Sequence, residues 1–227
     1  WNRCHFEKTD IIRNLLNRQK TYIPKYKKIT NSEIEKQGNK LNQEQQTAVN
    51  AVNSNGVILL SGGPGTGKTS TIIQMIIRAL SINPDIKIGL AAPTGKATRR
   101  LQETLQSNIN SLTKENKIIL SNIPCKTLHS WLQASPSGFG RNKRSPLLLD
   151  FLVIDEMSMV DLDLIQGLLQ AFPSKSQLIL VGDPNQLPPV RSGSIWEELQ
   201  NEEILEQFNK STIHLYKLYR NRGAIAA

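Results

Sequence analysis

Apolar residues in this 227-residue chain gather in short runs that alternate with longer, partly polar stretches. Most runs are rich in branched side chains, which is typical of strands buried on both faces of a parallel sheet. The stretches between them predict helices that pack on that sheet. The pattern therefore predicts an α/β fold, with a mainly parallel sheet, helices on both faces and a functional site at the carboxyl edge. The predicted strands lie at residues 57–60, 86–92, 147–154, 177–182 and 211–220.

A glycine-rich turn joins the first predicted strand to a predicted helix at 70–80. Gly62, Gly67, Lys68 and Thr69 fit the pattern G-x-x-x-x-G-K-[ST], which marks a phosphate-binding loop in a strand–turn–helix context. Glycines allow consecutive N–H groups to face phosphate oxygens, Lys68 can reach the β- and γ-phosphates, and the Thr69 hydroxyl can bind Mg²⁺. The segment predicted to bind a nucleoside triphosphate comprises Gly62, Gly63, Pro64, Gly65, Thr66, Gly67, Lys68, Thr69 and Ser70.

Two adjacent acids, Asp155 and Glu156, follow the strand predicted at 147–154. At the end of a strand the chain can direct both side chains toward one site, although residues within the strand alternate between faces. Asp155 suits a position in the Mg²⁺ shell, and Glu156 suits a general base that polarises an attacking water. Solvated acids are the less favoured interpretation, because a phosphate loop requires a metal-binding acid at this edge.

Two polar residues follow the later strands. Gln186 lies in a proline-flanked loop after the strand at 177–182, where it could bond to the γ-phosphate or to its attacking water. Arg220 ends the strand predicted at 211–220, where an arginine could stabilise charge on a transferred phosphoryl group.

Four other candidates carry weaker signals. Gln45 precedes the first strand and could bond to an adenine edge, but glutamines are also common on exposed helix faces. Thr94 and Lys96 open a helix after the second strand. They suit a nucleic-acid phosphate, or they belong to an ordinary strand–helix turn. His129, in a predicted short helix at 127–132, is either a ligand contact or a helix-capping residue.

The net charge of +9 is concentrated in residues 1–40, which contribute +6, whereas residues 41–227 contribute +3. A basic arm that binds nucleic acid and a solvated, lysine-rich surface explain this equally well. Cys4 and Cys125 match neither a disulfide framework nor a zinc pattern, so we expect free thiols in a cytoplasmic protein. No apolar run approaches the roughly 18 residues that a membrane span needs.

Residues 1–40 contain too few apolar positions to fold alone. A helix is predicted around 10–16, and the lysine-rich segment after Pro24 predicts a linker. Because the chain begins with Trp1, we expect a piece of a longer protein. Residues 1–40 are then the end of a preceding region plus a basic linker, and residues 41–227 form the main domain.

Four segments, at 62–69, 92–101, 153–161 and 180–190, resemble successive motifs of superfamily 1 helicases of the RecD type, the alpha subunit of exodeoxyribonuclease V. The resemblance runs from about Leu41 to the end of the sequence. It implies a RecA-like P-loop NTPase fold that uses ATP and Mg²⁺. It also implies 5′ to 3′ DNA unwinding in double-strand-break repair and recombination, with single-stranded DNA and the RecB and RecC subunits as partners. Some similar helicases work alone.

The resemblance also assigns roles to individual residues. Gln45 corresponds to an adenine contact, Gln186 to a γ-phosphate sensor, and Arg220 with the preceding Tyr219 to a γ-phosphate contact. Lys68, Thr69, Asp155 and Glu156 take the phosphate, metal and base roles given above. The positions that correspond to the single-stranded DNA path are Thr94, Lys96, Thr127 and His129.

Motifs of a second RecA-like domain do not follow in this sequence. Superfamily 1 motors hydrolyse ATP between two such domains, so we expect this chain alone to bind nucleotide without unwinding DNA. A P-loop ATPase that acts as a switch or loader, without translocation, is the alternative. The Thr94–Lys96 turn and Gln186 favour the motor over that alternative.

Overall fold

The computed structural model describes residues 2–24, 41–109, 114–186 and 194–219. Its strands are β1 (Val57–Gly62), β2 (Ile88–Ala92), β3 (Cys125–Thr127), β4 (Ala134–Ser135), β5 (Gly138–Phe139), β6 (Phe151–Ile154), β7 (Gln177–Gly182) and β8 (Thr212–Leu215). Its helices are α1 (Asn2–Thr21), α2 (Gln43–Ala51), α3 (Lys68–Ile82), α4 (Gly95–Ile109), α5 (Lys114–Ser121), α6 (Leu128–Leu132), α7 (Leu162–Ala171), α8 (Ile195–Leu199) and α9 (Glu202–Phe208).

Six strands form one sheet in the order β3-β2-β6-β7-β1-β8, and every neighbouring pair in it is parallel. β1 lies between β7, where Val57 pairs with Leu178, and β8, where Leu59 pairs with Thr212. The carboxyl ends of all six strands therefore meet at one edge. Loops that are far apart in sequence come together there.

Two apolar clusters cover the two faces of the sheet. Leu152 and Ile154 of β6 pack into a cluster with α1, α6, α7 and α8, whereas Phe151 and Val153 pack into a cluster with α2, α3, α4 and α5. Alternate residues of β1 and β7 divide in the same way. Burial on both faces explains why these strands read as continuous apolar runs. The predicted α/β architecture is confirmed.

Helix α1 is longer than the helix predicted around 10–16, and it packs on the sheet domain. Ile11 and Leu15 are fully buried in the first cluster. The buried Arg18 guanidinium donates to the carbonyl oxygens of Leu169, Phe172 and Pro173, at and just beyond the end of α7. Cations are favourable at a helix C-terminus. Burial lowers the pKa of Arg18 to about 10, so the side chain remains charged at neutral pH.

The structure shortens three predicted strands, and β2 begins at Ile88 rather than at residue 86. β6 begins at Phe151 rather than at residue 147, and Leu148 is 74% exposed. β8 ends at Leu215, and Tyr216 N–H then donates to the Glu44 carboxylate. The segment at 134–146 contains the short antiparallel pair β4–β5.

No helix in the described ranges is both long and apolar enough to cross a membrane. Cys125 is a free thiol, whose pKa burial raises to about 11, with a further contribution from the Asp155 carboxylate. The linker predicted after Pro24 lies at 25–40, outside the described residues. The boundary at residue 40 stays a prediction.

Candidate nucleotide-binding site

A cavity of about 650 Å³ opens at the carboxyl edge of the sheet. Its walls come from the phosphate loop after β1, one face of α4, the acids after β6 and the loop after β7. The lining residues are Gly63, Pro64, Gly65, Gly67, Lys68, Thr69, Ser70, Ala97, Arg100, Leu101, Thr104, Asp155, Glu156, Asp183, Gln186 and Tyr219. Elements separated by more than a hundred residues thus form one cavity, as the sheet topology requires.

The phosphate loop is held in shape by its own hydrogen bonds. Lys68 Nζ donates to the carbonyl oxygens of Gly62 at 2.6 Å and Gly63 at 2.9 Å. Thr66 Oγ1 also donates to the Gly63 carbonyl, at 2.8 Å. The first turn of α3, which follows Gly67, lines the cavity, and its N–H groups have no partner within the helix. Such a helix start favours anions.

We expect Gly67→Ala to destabilise the protein and Gly63→Ala to leave its stability unchanged. Gly67 has φ of 85°, and an added Cβ would lie 3.0 Å from Gln45 Nε2. This left-handed conformation costs other residues about 1–2 kcal/mol, which corresponds to a fall in Tm of about 2–8 °C. A Cβ on Gly63 would meet no atom within 4 Å. Thermal unfolding of both variants measures the difference, and equal Tm values would contradict the described loop.

Asp155 and Glu156 both line the cavity although they are adjacent in sequence. Glu156 has φ of 57°, a left-handed conformation that is uncommon for a residue with a side chain. The Glu156 N–H group donates to Asp155 Oδ1 at 2.9 Å, which fixes the first carboxylate while the backbone turns the second toward the same space. Local backbone strain of this kind is concentrated at functional sites.

The pKa of Asp155 is raised to about 6, mainly because burial disfavours the charged carboxylate. The Glu156 carboxylate acts in the same direction. The hydrogen bond from the Glu156 N–H group and the charges of Lys68 and Arg100 act in the opposite direction. The site therefore holds an acid in an unfavourable ionised state at neutral pH, which a bound cation would relieve.

We expect Asp155→Asn to stabilise the protein in the absence of nucleotide at neutral pH. The folded-state pKa of about 6 exceeds the ordinary value of 3.8, so the folded state binds the proton more tightly than the unfolded state. This contribution to stability is complete below pH 3.8 and is lost as the pH rises through about 6. The variant should be about 1–3 kcal/mol more stable at pH 8, and the difference should shrink toward pH 5. Thermal unfolding at the two pH values tests this; a less stable variant at pH 8 would contradict it.

The loop after β7 brings Gln186 and Asp183 to the cavity. Gln186 Oε1 accepts a hydrogen bond from Ser158 Oγ, which connects this loop to the turn after the two acids. Asp183 Oδ1 accepts from Asn185 N–H at 2.9 Å and so shapes the loop. Asp183 was not predicted as a site residue, although it belongs to the segment at 180–190.

Gln45 lies beside the phosphate loop but does not line the cavity. Its Oε1 accepts from Asn42 N–H at 3.1 Å and from the Tyr219 hydroxyl at 3.3 Å, and Asn42 in turn caps α2. Tyr219 N–H donates to the Gly65 carbonyl oxygen, and the Tyr219 ring lies against Gly67. The adenine contact of Gln45 stays a prediction. Arg220 lies outside the described residues.

The four predicted DNA contacts lie on neighbouring elements, outside the cavity lining. Thr94 Oγ1 accepts from Ala97 N–H at the start of α4, and Thr127 Oγ1 accepts from Ser130 N–H at the start of α6. β2 pairs with β3, and Ala92 lies opposite Thr127. Thr94, Lys96 and His129 are exposed. The capping role considered for His129 belongs to Thr127, and the DNA role of all four residues stays a prediction.

Sequence reasoning missed the contribution of α4 to the cavity. Ala97, Arg100, Leu101 and Thr104 line it, and their spacing places them on one helical face. That spacing was the available signal, but the arginine pair at 99–100 reads as solvated surface.

In the described part of the chain, no group of three or more His, Cys, Asp or Glu residues could hold a metal alone. A Mg²⁺ ion here would depend on phosphate oxygens in addition to Thr69 and Asp155, as is usual for this ion.

Residues 45–192 match the family described as AAA domain, which is well over half of the chain. The chain belongs to the AAA-domain family. The matched range includes the phosphate loop, the two acids and Gln186.

Curated relatives of this AAA domain confirm the resemblance to RecD-type helicases. The RecBCD enzyme subunit RecD of Mycolicibacterium smegmatis is 39% identical over 165 residues, covering 69% of this chain and 30% of the relative. RecD of Buchnera aphidicola subsp. Acyrthosiphon pisum is 42% identical over 161 residues, which cover 68% of this chain and 26% of the relative. The ATP-dependent RecD2 DNA helicase of Deinococcus radiodurans is 36% identical over 153 residues, which cover 67% of this chain and 19% of the relative. The chain therefore spans less than a third of each of these relatives.

A solved structure of two coordinating Pif1 helicases at forked double-stranded DNA has the same fold. The similarity covers 80% of this chain and 45% of the Pif1 chain, with a TM-score of 0.50 and 22% sequence identity. This similarity supports the RecA-like architecture of the sheet and its helices.

Proposed function

We propose that this chain is the first motor domain of a RecD-type DNA helicase, and that it binds ATP with Mg²⁺ at the carboxyl edge of its sheet. The observation that carries the proposal is the convergence of Lys68, Asp155, Glu156 and Gln186 on one cavity. These residues supply a phosphate-binding cation, a metal-binding acid, a base and a polar sensor. An ATPase site needs these four chemical roles.

Each residue has a role that fits its position. Lys68 neutralises the β- and γ-phosphates, and the first turn of α3 offers N–H groups to the phosphate oxygens. Thr69 and Asp155 would hold Mg²⁺, which neutralises charge that develops on the phosphates. Glu156 accepts a proton from the attacking water. Gln186, bonded to Ser158, reports on the terminal phosphate to the loop after the acids.

Single-stranded DNA is the proposed second ligand. Thr94, Lys96, Thr127 and His129 lie at the carboxyl ends of β2 and β3, beside the nucleotide cavity and exposed or partly exposed. Hydroxyl groups, a lysine and helix starts suit phosphate contacts. Such contacts confer little sequence preference and depend strongly on salt.

The biological setting is part of the same proposal. Relatives named as RecBCD subunits favour work with RecB and RecC in double-strand-break repair and recombination, whereas a RecD2 relative represents a helicase named by itself. The proposed direction of movement is 5′ to 3′, and the proposed location is the cytoplasm, where bacterial DNA lies. The chain 1–227 alone should bind nucleotide without unwinding, because a motor of this class works between two RecA-like domains.

Nucleotide binding and translocation can be tested separately. A fluorescent ATP analogue should bind the 1–227 chain in the presence of Mg²⁺, and single-stranded DNA should change its affinity. The full-length protein should show DNA-stimulated ATP hydrolysis and strand separation. Robust DNA-stimulated hydrolysis by residues 1–227 would contradict the proposed need for a second domain. If the full-length protein hydrolysed ATP at a rate that did not respond to DNA, the alternative of a switch or loader ATPase without translocation would be favoured.

A further inference from the structure

Arg100 is the one cation on the α4 wall of the cavity, among the residues that the structure describes. Leu101, beside it on the same helical face, is 2% exposed and anchors that face to the core. Arg100 itself is exposed to the cavity. Its side chain therefore starts from a fixed backbone position and lines the same cavity as the phosphate loop.

The Arg100 guanidinium makes no hydrogen bond or salt bridge to any other residue within the described ranges. Its positive charge nevertheless acts on the Asp155 carboxylate. Lys68, the other cation among the described lining residues, already donates to two loop carbonyl oxygens. Arg100 thus retains its five N–H donors for a ligand.

The charge of the cavity wall makes this cation important. Lys68 and Arg100 face three acids, Asp155, Glu156 and Asp183. A triphosphate brings further negative charge, even with its Mg²⁺. Within the partly dehydrated cavity, each cation contributes more than it would in open water. Among the described lining residues, loss of Arg100 would leave Lys68 as the one cation beside the three acids.

The topology indicates which end of the nucleotide Arg100 meets. α4 follows β2, and β2 pairs with β6, whose carboxyl end carries Asp155 and Glu156. Tyr219, by contrast, approaches the phosphate loop from the β8 side, beside Gly67. Arg100 therefore lies with the metal-binding acid and the base, away from the Tyr219 side.

We infer that Arg100 binds the terminal phosphate of ATP from the α4 side of the cavity. The inference rests on the proposed function, since it specifies a contact within that nucleotide site. A guanidinium can bind two phosphate oxygens at once, which a lysine ammonium cannot do with the same geometry. Arg100 then distinguishes ATP from ADP, because ADP lacks the phosphate that it contacts.

Arg99 provides a matched control within the chain. It is an arginine on the same helix, exposed, and adjacent in sequence, but it does not line the cavity. We would compare Arg100→Ala, Arg100→Lys and Arg99→Ala in the full-length protein. The measured quantities are the dissociation constants of a non-hydrolysable ATP analogue, of ADP and of single-stranded DNA, together with Tm.

Arg100→Ala should weaken binding of the ATP analogue by about tenfold to a hundredfold, the usual effect of losing a hydrogen bond to a charged group. ADP affinity should change by less than about threefold. Arg100→Lys should recover part of the ATP affinity, and Arg99→Ala should resemble wild type in both nucleotides. Tm should stay unchanged in Arg99→Ala and fall only slightly in Arg100→Ala, because Arg100 forms no hydrogen bond to a described residue and acts on Asp155 by its charge alone.

Three results would overturn the inference. Equal loss of ATP and ADP affinity with a lower Tm would make Arg100 structural. Unchanged ATP affinity in Arg100→Ala would make it a solvated charge. Loss of DNA affinity alone would assign it to the DNA path. A wild-type protein that bound no ATP would instead refute the proposed function, so the two failures are distinguishable.

Discussion

Replacing Lys68 by alanine in the full-length protein should reduce ATP hydrolysis by at least about a hundredfold. The lysine is placed at the phosphate loop by its bonds to the Gly62 and Gly63 carbonyl oxygens, and it faces the cavity that holds both acids. Removal of one preorganised charge contact from a phosphoryl-transfer site costs about 3–4 kcal/mol of transition-state stabilisation. Steady-state ATPase measurement with saturating single-stranded DNA gives the comparison.

Lys87→Ala is a suitable control for this variant. Lys87 is an exposed lysine that precedes β2 at the opposite edge of the sheet, so its loss changes the net charge equally without affecting the cavity. Tm of Lys68→Ala is measured in parallel, because Lys68 also donates to two loop carbonyl oxygens; a loss of hydrolysis far larger than the loss of stability separates a lost charge from a disordered loop. Turnover near that of wild type would remove Lys68 from the assigned role.

The strands of the sheet were predictable where burial is two-sided. β1 and β7 lie in the middle of the sheet, and each alternates its side chains between the two apolar clusters. Two-sided burial produces the continuous apolar runs that sequence inspection detects. β3 escaped prediction because it is a short edge strand, Cys125–Thr127, and its middle residue, Lys126, is exposed.

Strand ends were less predictable, because an apolar run does not show where the sheet begins. Leu147 and Leu149 are buried like strand residues, but Leu147 N–H donates to the Ala171 carbonyl oxygen below the sheet. At the other end, Tyr219 N–H donates to Gly65 rather than to a neighbouring strand. Partners such as these become visible only in three dimensions.

The phosphate loop and acids of the candidate site carry local signals, whereas Arg100 does not. Glycine spacing and a Lys-Thr pair identify a phosphate loop on their own. Arg100 instead stands out only because it lines the same cavity as Asp155, which is 55 positions away in sequence and across the β2–β6 pair. Gln45 is an intermediate case. Its pairing with Asn42 as a capping box is readable from sequence and explains part of its bonding independently of any ligand.

Glu156→Gln should separate ATP binding from ATP hydrolysis. Glutamine keeps the size of the side chain and places no new constraint on the left-handed backbone at this position. It cannot accept a proton from water, so hydrolysis by the full-length protein should fall by about 10²–10⁴-fold. The dissociation constant for ATP should stay within about threefold of wild type, because the phosphate contacts of Lys68 and the α3 turn remain.

Two measurements on the same preparation decide the role of Glu156. Equilibrium titration with a fluorescent ATP analogue gives affinity, and single-turnover hydrolysis gives the chemical step without product release. Glu103→Gln, an exposed glutamate on α4 outside the cavity lining, is the matched control and should match wild type in both. If Glu156→Gln lost affinity and turnover to the same extent, the Glu156 carboxylate would be a binding group. The general base would then have to be one of the other acids of the cavity, Asp155 or Asp183. If turnover alone fell, the left-handed turn after β6 would have a chemical purpose: it brings the base beside the metal-binding acid.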